Sequence, residues 1–108
     1  MDRVELMTVQ DCFQISGFGL ILVPDFSVPD GHWKNFETQV SVVTPAGHRF
    51  DTEAKFNVSH FNIRDPEVSI DTRWRVVVVL PSVDKQAVPV GSQLLVEPGV
   101  RHAVLAGN

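Results

Sequence analysis

Phe36, Thr38, Val40 and Val42 fall on one parity of the chain, and Glu37, Gln39 and Ser41 on the other. That is the alternation of a β-strand with one face in a core and one in water. Thr44-Pro45-Ala46-Gly47 follows as a turn, with Pro fixing φ at the second position and Gly ending it. Beyond it, Phe50, Ala54, Phe56 and Val58 keep one parity, then Phe61 and Ile63 take the other. Such a switch predicts a β-bulge, which we place near Ser59-His60. Val76 to Leu80 is apolar at every position, the pattern of a strand covered on both faces. Pro and Gly punctuate the chain at short intervals, and no segment carries a capped period of 3.6. The runs between predict strands near 4–15, 18–24, 36–44, 48–63, 73–80, 92–97 and 100–105, with no helix. Short strands at this spacing define an all-β barrel or sandwich. Closure into a barrel is favoured because it removes strand edges that would otherwise template aggregation.

Composition agrees with the strands. Twenty-eight residues are β-branched, 19 of them Val, against 20 Ala, Leu, Glu and Lys, and branched side chains favour a pleated surface over a helix. The 108 residues fit one domain, 1–108, with a core of about 4–98 and a tail from 99 to 108. The longest apolar run, Val76 to Leu80, has five residues, whereas a bilayer-spanning helix needs roughly 20. No basic start leads into an apolar stretch, so no signal peptide is expected. The single Cys12 has no partner for an intramolecular disulfide. A cytoplasmic location is the expectation. The net charge of −4 argues against nucleic acid as a partner, since counterion release from phosphates rewards basic surfaces.

Motifs for chemistry are sparse. Gly17-Phe18-Gly19 is too short for a dinucleotide fingerprint and reads as a tight turn or a place where a side chain would clash. His32, His48, His60 and His102 lack metal-ligand spacing. Cys12 stands beside Asp11, whose charge disfavours a thiolate, and reads as a small core hydrophobe. Asp65, Glu67 and Asp71 read as a solvated loop rather than an acid/base pair. We therefore expect no enzyme, no cofactor and no metal. Aromatic residues are the recognition candidates. Phe26, His32, Trp33 and Phe36 lie in or beside a loop from about 24 to 35, and Trp74 stands between Arg73 and Arg75. Trp and Arg dominate binding hot spots. The competing role is structural, with Trp33 as a lid and Trp74 in the core.

Two stretches resemble the second domain of elongation factor Tu and related translation GTPases. Residues 9–21, VQDCFQISGFGLI, are similar to that family's V-x-D-x-F-x-I-x-G-R-G opening, and residues 80–92, LPSVDKQAVPVGS, to its L-R-G-V-x-K-x-x-V-x-x-G segment. Asp11, Phe13, Gly17, Gly19, Val83, Lys85, Val88 and Gly91 carry the match. The resemblance implies a small closed six-stranded β-barrel of the translation-factor domain 2 type. It implies no GTP hydrolysis, because the nucleotide-binding domain is missing. Phe18 replaces the family's Arg, and Pro81-Ser82 replace its Arg-Gly pair. In the family this barrel helps hold the aminoacyl end of tRNA. With the matching arginines gone, the expectation is a protein-binding module that docks a partner or neutralises one, as an immunity protein does. The alternative is RNA, tRNA or ribosome association through Arg64, Arg73 and Arg75. A small ligand in the barrel mouth comes third. The initiating Met and the reach of the resemblance lead us to expect a whole protein.

Overall fold

The computed structural model describes residues 3–27, 33–60 and 74–105, without the side chains of Ser27, Ser59, His60 and Trp74. Seven strands form: β1 (Val4–Thr8), β2 (Asp11–Ile15), β3 (Gly19–Ser27), β4 (Phe36–Val43), β5 (Arg49–His60), β6 (Trp74–Leu80) and β7 (Gln93–Val96). A short 3-10 turn (Lys85–Ala87) precedes β7, and helix α1 (Pro98–Leu105) follows it. The strands make one antiparallel sheet in the order β1-β7-β4-β5-β6-β3-β2, curled into a half-barrel.

The all-β class holds, but the closed six-stranded barrel does not form. Its intended first strand, 4–15, changes neighbour midway. Val9 N donates to Ser92 O (2.7 Å) and Val9 O accepts from Gly91 N (2.8 Å), whereas Gln10 N donates to Val23 O (2.8 Å). One segment thus becomes two edge strands, β1 on the β7 side and β2 on the β3 side. Each edge strand carries one contact from a neighbouring segment. Arg101 Nε of α1 donates to Glu5 O (3.1 Å), an edge carbonyl of β1. Alongside β2, the Gln14 side chain accepts from Lys85 N (2.8 Å) and reaches Val83 O (3.5 Å).

The even-numbered residues of β4, β5 and β6 face the core. Val40, Val42, Ala54, Phe56, Val76, Val78 and Leu80 are all buried, and each large side chain removed from water stabilises the fold by roughly 1.5–3 kcal/mol. Val77 and Val79, on the opposite parity, are buried too, as the unbroken apolar run implied. Two sequence expectations need correction. Residues 100–105 are helical: Pro98 opens α1 at the one position where its missing N–H costs nothing, and Glu97 O accepts from Val100 N and Arg101 N. Val100, Val104 and Leu105 then meet the core. The bulge near Ser59-His60 is absent too, because β5 and β6 pair without a break from Lys55↔Val79 to His60↔Trp74. The register instead shifts between Leu22 and Phe26, across Pro24, and between Glu5 and Met7. Proline has no N–H for a ladder, so the first shift falls where one bond is lacking. Phe61, Ile63 and the loop carboxylates lie outside the described residues.

Candidate functional site

The aromatic residues selected from the sequence do not gather on the surface. Phe26 is 7% exposed and belongs to the core. Phe36 stacks on Phe56 with ring centroids 4.9 Å apart and planes 13° from parallel, and Trp33 leans on Phe36 at 5.6 Å and 43°. Both Trp33 and Phe36 are partly buried against the core. Trp33 Nε1 donates to Asn35 Oδ1 (3.1 Å), and that same oxygen accepts from Val58 N (2.9 Å). Trp33 thus packs against the core beside Phe36. Arg75 meets Asp25 at 3.1 Å. Trp74 occupies the first position of β6, opposite His60. His32 and Arg73 lie outside the described residues, as does Arg64.

A different apolar surface emerges. Among the described residues the exposed large hydrophobics are Phe13 (52%), Ile15 (45%), Phe18 (42%), Val90 (63%) and Val4. All but Val4 come from the β2–β3 hairpin or from the connection 81–92. These two segments are joined by the Gln14 clasp and by Cys12 Sγ, 3.7 Å from Val88 O. Strand alternation explains Phe13 and Ile15. Cys12 points inward, so its odd-numbered neighbours point out. Phe13 then stands opposite Ile21, and Ile21 opposite the buried Val79, giving an apolar row across three strands.

The hairpin that presents these side chains closes in a tight turn and abuts the end of β6. Phe18 N donates to Ile15 O (3.0 Å), and Gly17 takes φ +78° at the third turn position, as a type II turn requires. Gly19 has φ +129°, and a Cβ there would lie 2.8 Å from Pro81 Cα. The sequence stretches 9–21 and 80–92 therefore meet at that backbone contact as well as at Gln14.

Reactive groups are few. Burial raises the Cys12 thiol above its ordinary value; Lys85 opposes the shift and Asp11 adds to it. A thiol held protonated in the core is a poor nucleophile. A hydrogen bond to the Glu37 carboxylate, and then its negative charge, raise the pKa of Glu53 on the outer face of β5. A polar cluster joins β4, β5 and the chain start. Buried Ser41 Oγ donates to Asp51 Oδ1 (2.6 Å) and accepts from Arg3 (2.8 Å) and Arg49 (3.2 Å), while Arg3 also meets Glu97 at 3.3 Å. With both arginines bonded into it and no histidine present, this cluster is a structural clamp. Among the described residues no helix is long and apolar enough to cross a membrane.

No protein-family model, curated protein or solved structure matches this chain.

Proposed function

We propose that this chain is a cytoplasmic, non-enzymatic protein-binding module related to the second domain of elongation factor Tu. The surface that docks its partner is the outer face of the β2–β3 hairpin with the adjoining 81–92 connection. The observation that carries this reading is the cluster of Phe13, Ile15 and Phe18, each more than two-fifths exposed, on a hairpin locked by two glycines. Rigid apolar side chains on a fixed scaffold lose little entropy on binding, and contiguous exposed apolar patches mark interaction surfaces. The kinship with the translation-factor domain is supported by the meeting of the two resembling stretches at Gln14 and Gly19. An immunity-type or docking role fits a chain whose groups suit contact rather than chemistry.

RNA association gains nothing from Arg75, whose guanidinium is bonded to Asp25. The test is affinity capture from source lysate with and without nuclease. A single protein retained in near-equal amount after nuclease supports the module. Ribosomal proteins or tRNA that vanish with nuclease overturn it.

A further inference from the structure

We infer that the chain forms a weak two-fold dimer in which the hairpin tip of each copy, Phe18 with Ile15, seats in an apolar hollow beside the β4–β5 turn of the other. The hollow, of about 450 Å³, is walled mainly by Pro45, Ala46, Phe50, Ala87 and Pro89. Among the described residues no Asp, Glu, Lys or Arg lines it. The tip, Ile15-Ser16-Gly17-Phe18, is equally free of charge. One molecule thus carries both an apolar projection and an apolar recess, and neither demands a charge from what covers it.

The two lie at one end of the sheet. Ile15↔Gly19 closes the hairpin, and Leu20↔Leu80 sets it beside the end of β6. Lys55↔Val79 brings the first half of β5 to that end, and Val43↔Arg49 carries the β4–β5 turn beyond it. The connection 81–92 runs between them. On the hairpin side its Pro81 abuts Gly19 and its Lys85 N donates to Gln14. On the other side its Ala87 and Pro89 wall the hollow. At Gly91 it approaches the turn, where a Cβ would lie 3.3 Å from Pro45 Cγ. Projection and recess therefore flank one segment, and a two-fold axis crossing that segment sets each tip against the other copy's hollow. Val90, 63% exposed on the same segment, falls near the axis and meets its own counterpart.

Area favours the reciprocal arrangement. A fully covered aromatic side chain buries about 150–250 Å², so the half-exposed Phe18, Ile15 and Val90 together offer on the order of 250 Å² per copy. With the opposing walls and both copies included, a two-fold contact covers about 1,000 Å², the threshold of a specific interface, whereas a one-way contact covers about half of that. An interface of this size gives a weak dimer, with Kd on the order of 100 µM. The net charge of −4 on each copy opposes association at long range, and salt screens it. The self-contact needs no foreign protein, but it covers Phe18 and Ile15, so a partner at the hairpin face competes with the second copy.

Sedimentation velocity of the full chain from about 10 µM to about 1 mM reads the association. The mass should rise from monomer towards dimer and no further, and added salt should tighten the dimer. In 15N spectra the amides of Phe18 and Ala87 should shift together with concentration, sharing one midpoint. Ala46 is exposed, so Ala46→Arg keeps the parent fold, yet it places an unpaired charge in the hollow and weakens the dimer about tenfold or more. Phe18→Ser removes the tip and has the same effect from the other side. A monomer at every concentration overturns the inference, as does a dimer that survives either substitution. Growth beyond a dimer also overturns it, because that marks a one-way, open contact. Ala46 lies outside the hairpin face, so capture of a protein partner by Ala46→Arg reports on the docking reading separately: a lost dimer with retained capture is the expected pair of results.

Discussion

Replacing Gly19 by Ala tests the hairpin contact at the resolution of one methyl group. The added carbon would sit 2.8 Å from Pro81 Cα, 3.0 Å from Leu80 O and 3.1 Å from Val79 Cγ1. Two of these are backbone atoms beside a fully buried strand end, and Leu80 and Val79 have no room to retreat. The backbone at φ +129° is also unfavourable for any side chain. Strain and overpacking each cost about 1–3 kcal/mol, so Gly19→Ala destabilises by about 2–6 kcal/mol. Gly17 supplies the internal control. Its φ is +78°, but nothing lies within 4 Å of its absent Cβ, so Gly17→Ala costs only about 1–2 kcal/mol. Urea denaturation followed by Trp fluorescence measures both, with the slope unchanged and the midpoint moved. In a thermal melt, each kcal/mol lowers Tm by about 4–8 °C for a chain near this size. Equal losses in the two variants, or a loss below about 1 kcal/mol for Gly19→Ala, would refute the close approach of hairpin and β6 end.

Three further outcomes are expected. Ser41→Ala removes the hydroxyl that links Asp51, Arg3 and Arg49, while the Arg3–Asp51 and Arg3–Glu97 pairs remain, and should cost about 0.5–1.5 kcal/mol in urea titration. Trp33→Ala removes a ring that leans on Phe36 and should cost about 1–3 kcal/mol, whereas an unchanged melt would return Trp33 to the role of a free recognition residue. Because the pKa of Glu53 is raised in the folded chain, the fold holds its proton more tightly than the unfolded chain does, and stability falls as pH rises from the ordinary carboxylate value through the raised one. Glu53→Gln should therefore raise Tm at pH 7 and flatten that pH dependence between melts at acid and neutral pH; an unaltered profile would contradict the Glu37 contact.

The strands were legible where one face is wet and one dry, as in β4, or where both are dry, as in β6. The Pro45 turn and the glycine hairpin were legible from φ requirements alone. The split of 4–15 was not, because a change of hydrogen-bonding neighbour at Val9-Gln10 leaves the strand-like composition untouched. It does flip the parity: Val9 is buried, yet Phe13 and Ile15, on the same parity, are exposed. Hydrophobicity alone would have sent both inward, and so this exposed apolar face stayed hidden. Phe36 is the converse case. It shares the parity of Val40 and Val42, and the same alternation that predicted β4 already placed its ring inside. Helix α1 was missed because Pro98-Gly99 reads equally as a turn and as a helix start. The Val100–Val104 spacing of four was its remaining signal.

The most direct measurement compares capture by the unaltered chain with capture by Phe13→Ser/Ile15→Ser/Phe18→Ser, each immobilised in equal amount and treated with nuclease. All three side chains are exposed, so the variant should melt within a few degrees of the parent. A stoichiometric protein partner that is lost with the three substitutions is the predicted result. Retention of that partner by a folded variant would contradict the claim that this hairpin face is where the protein binds.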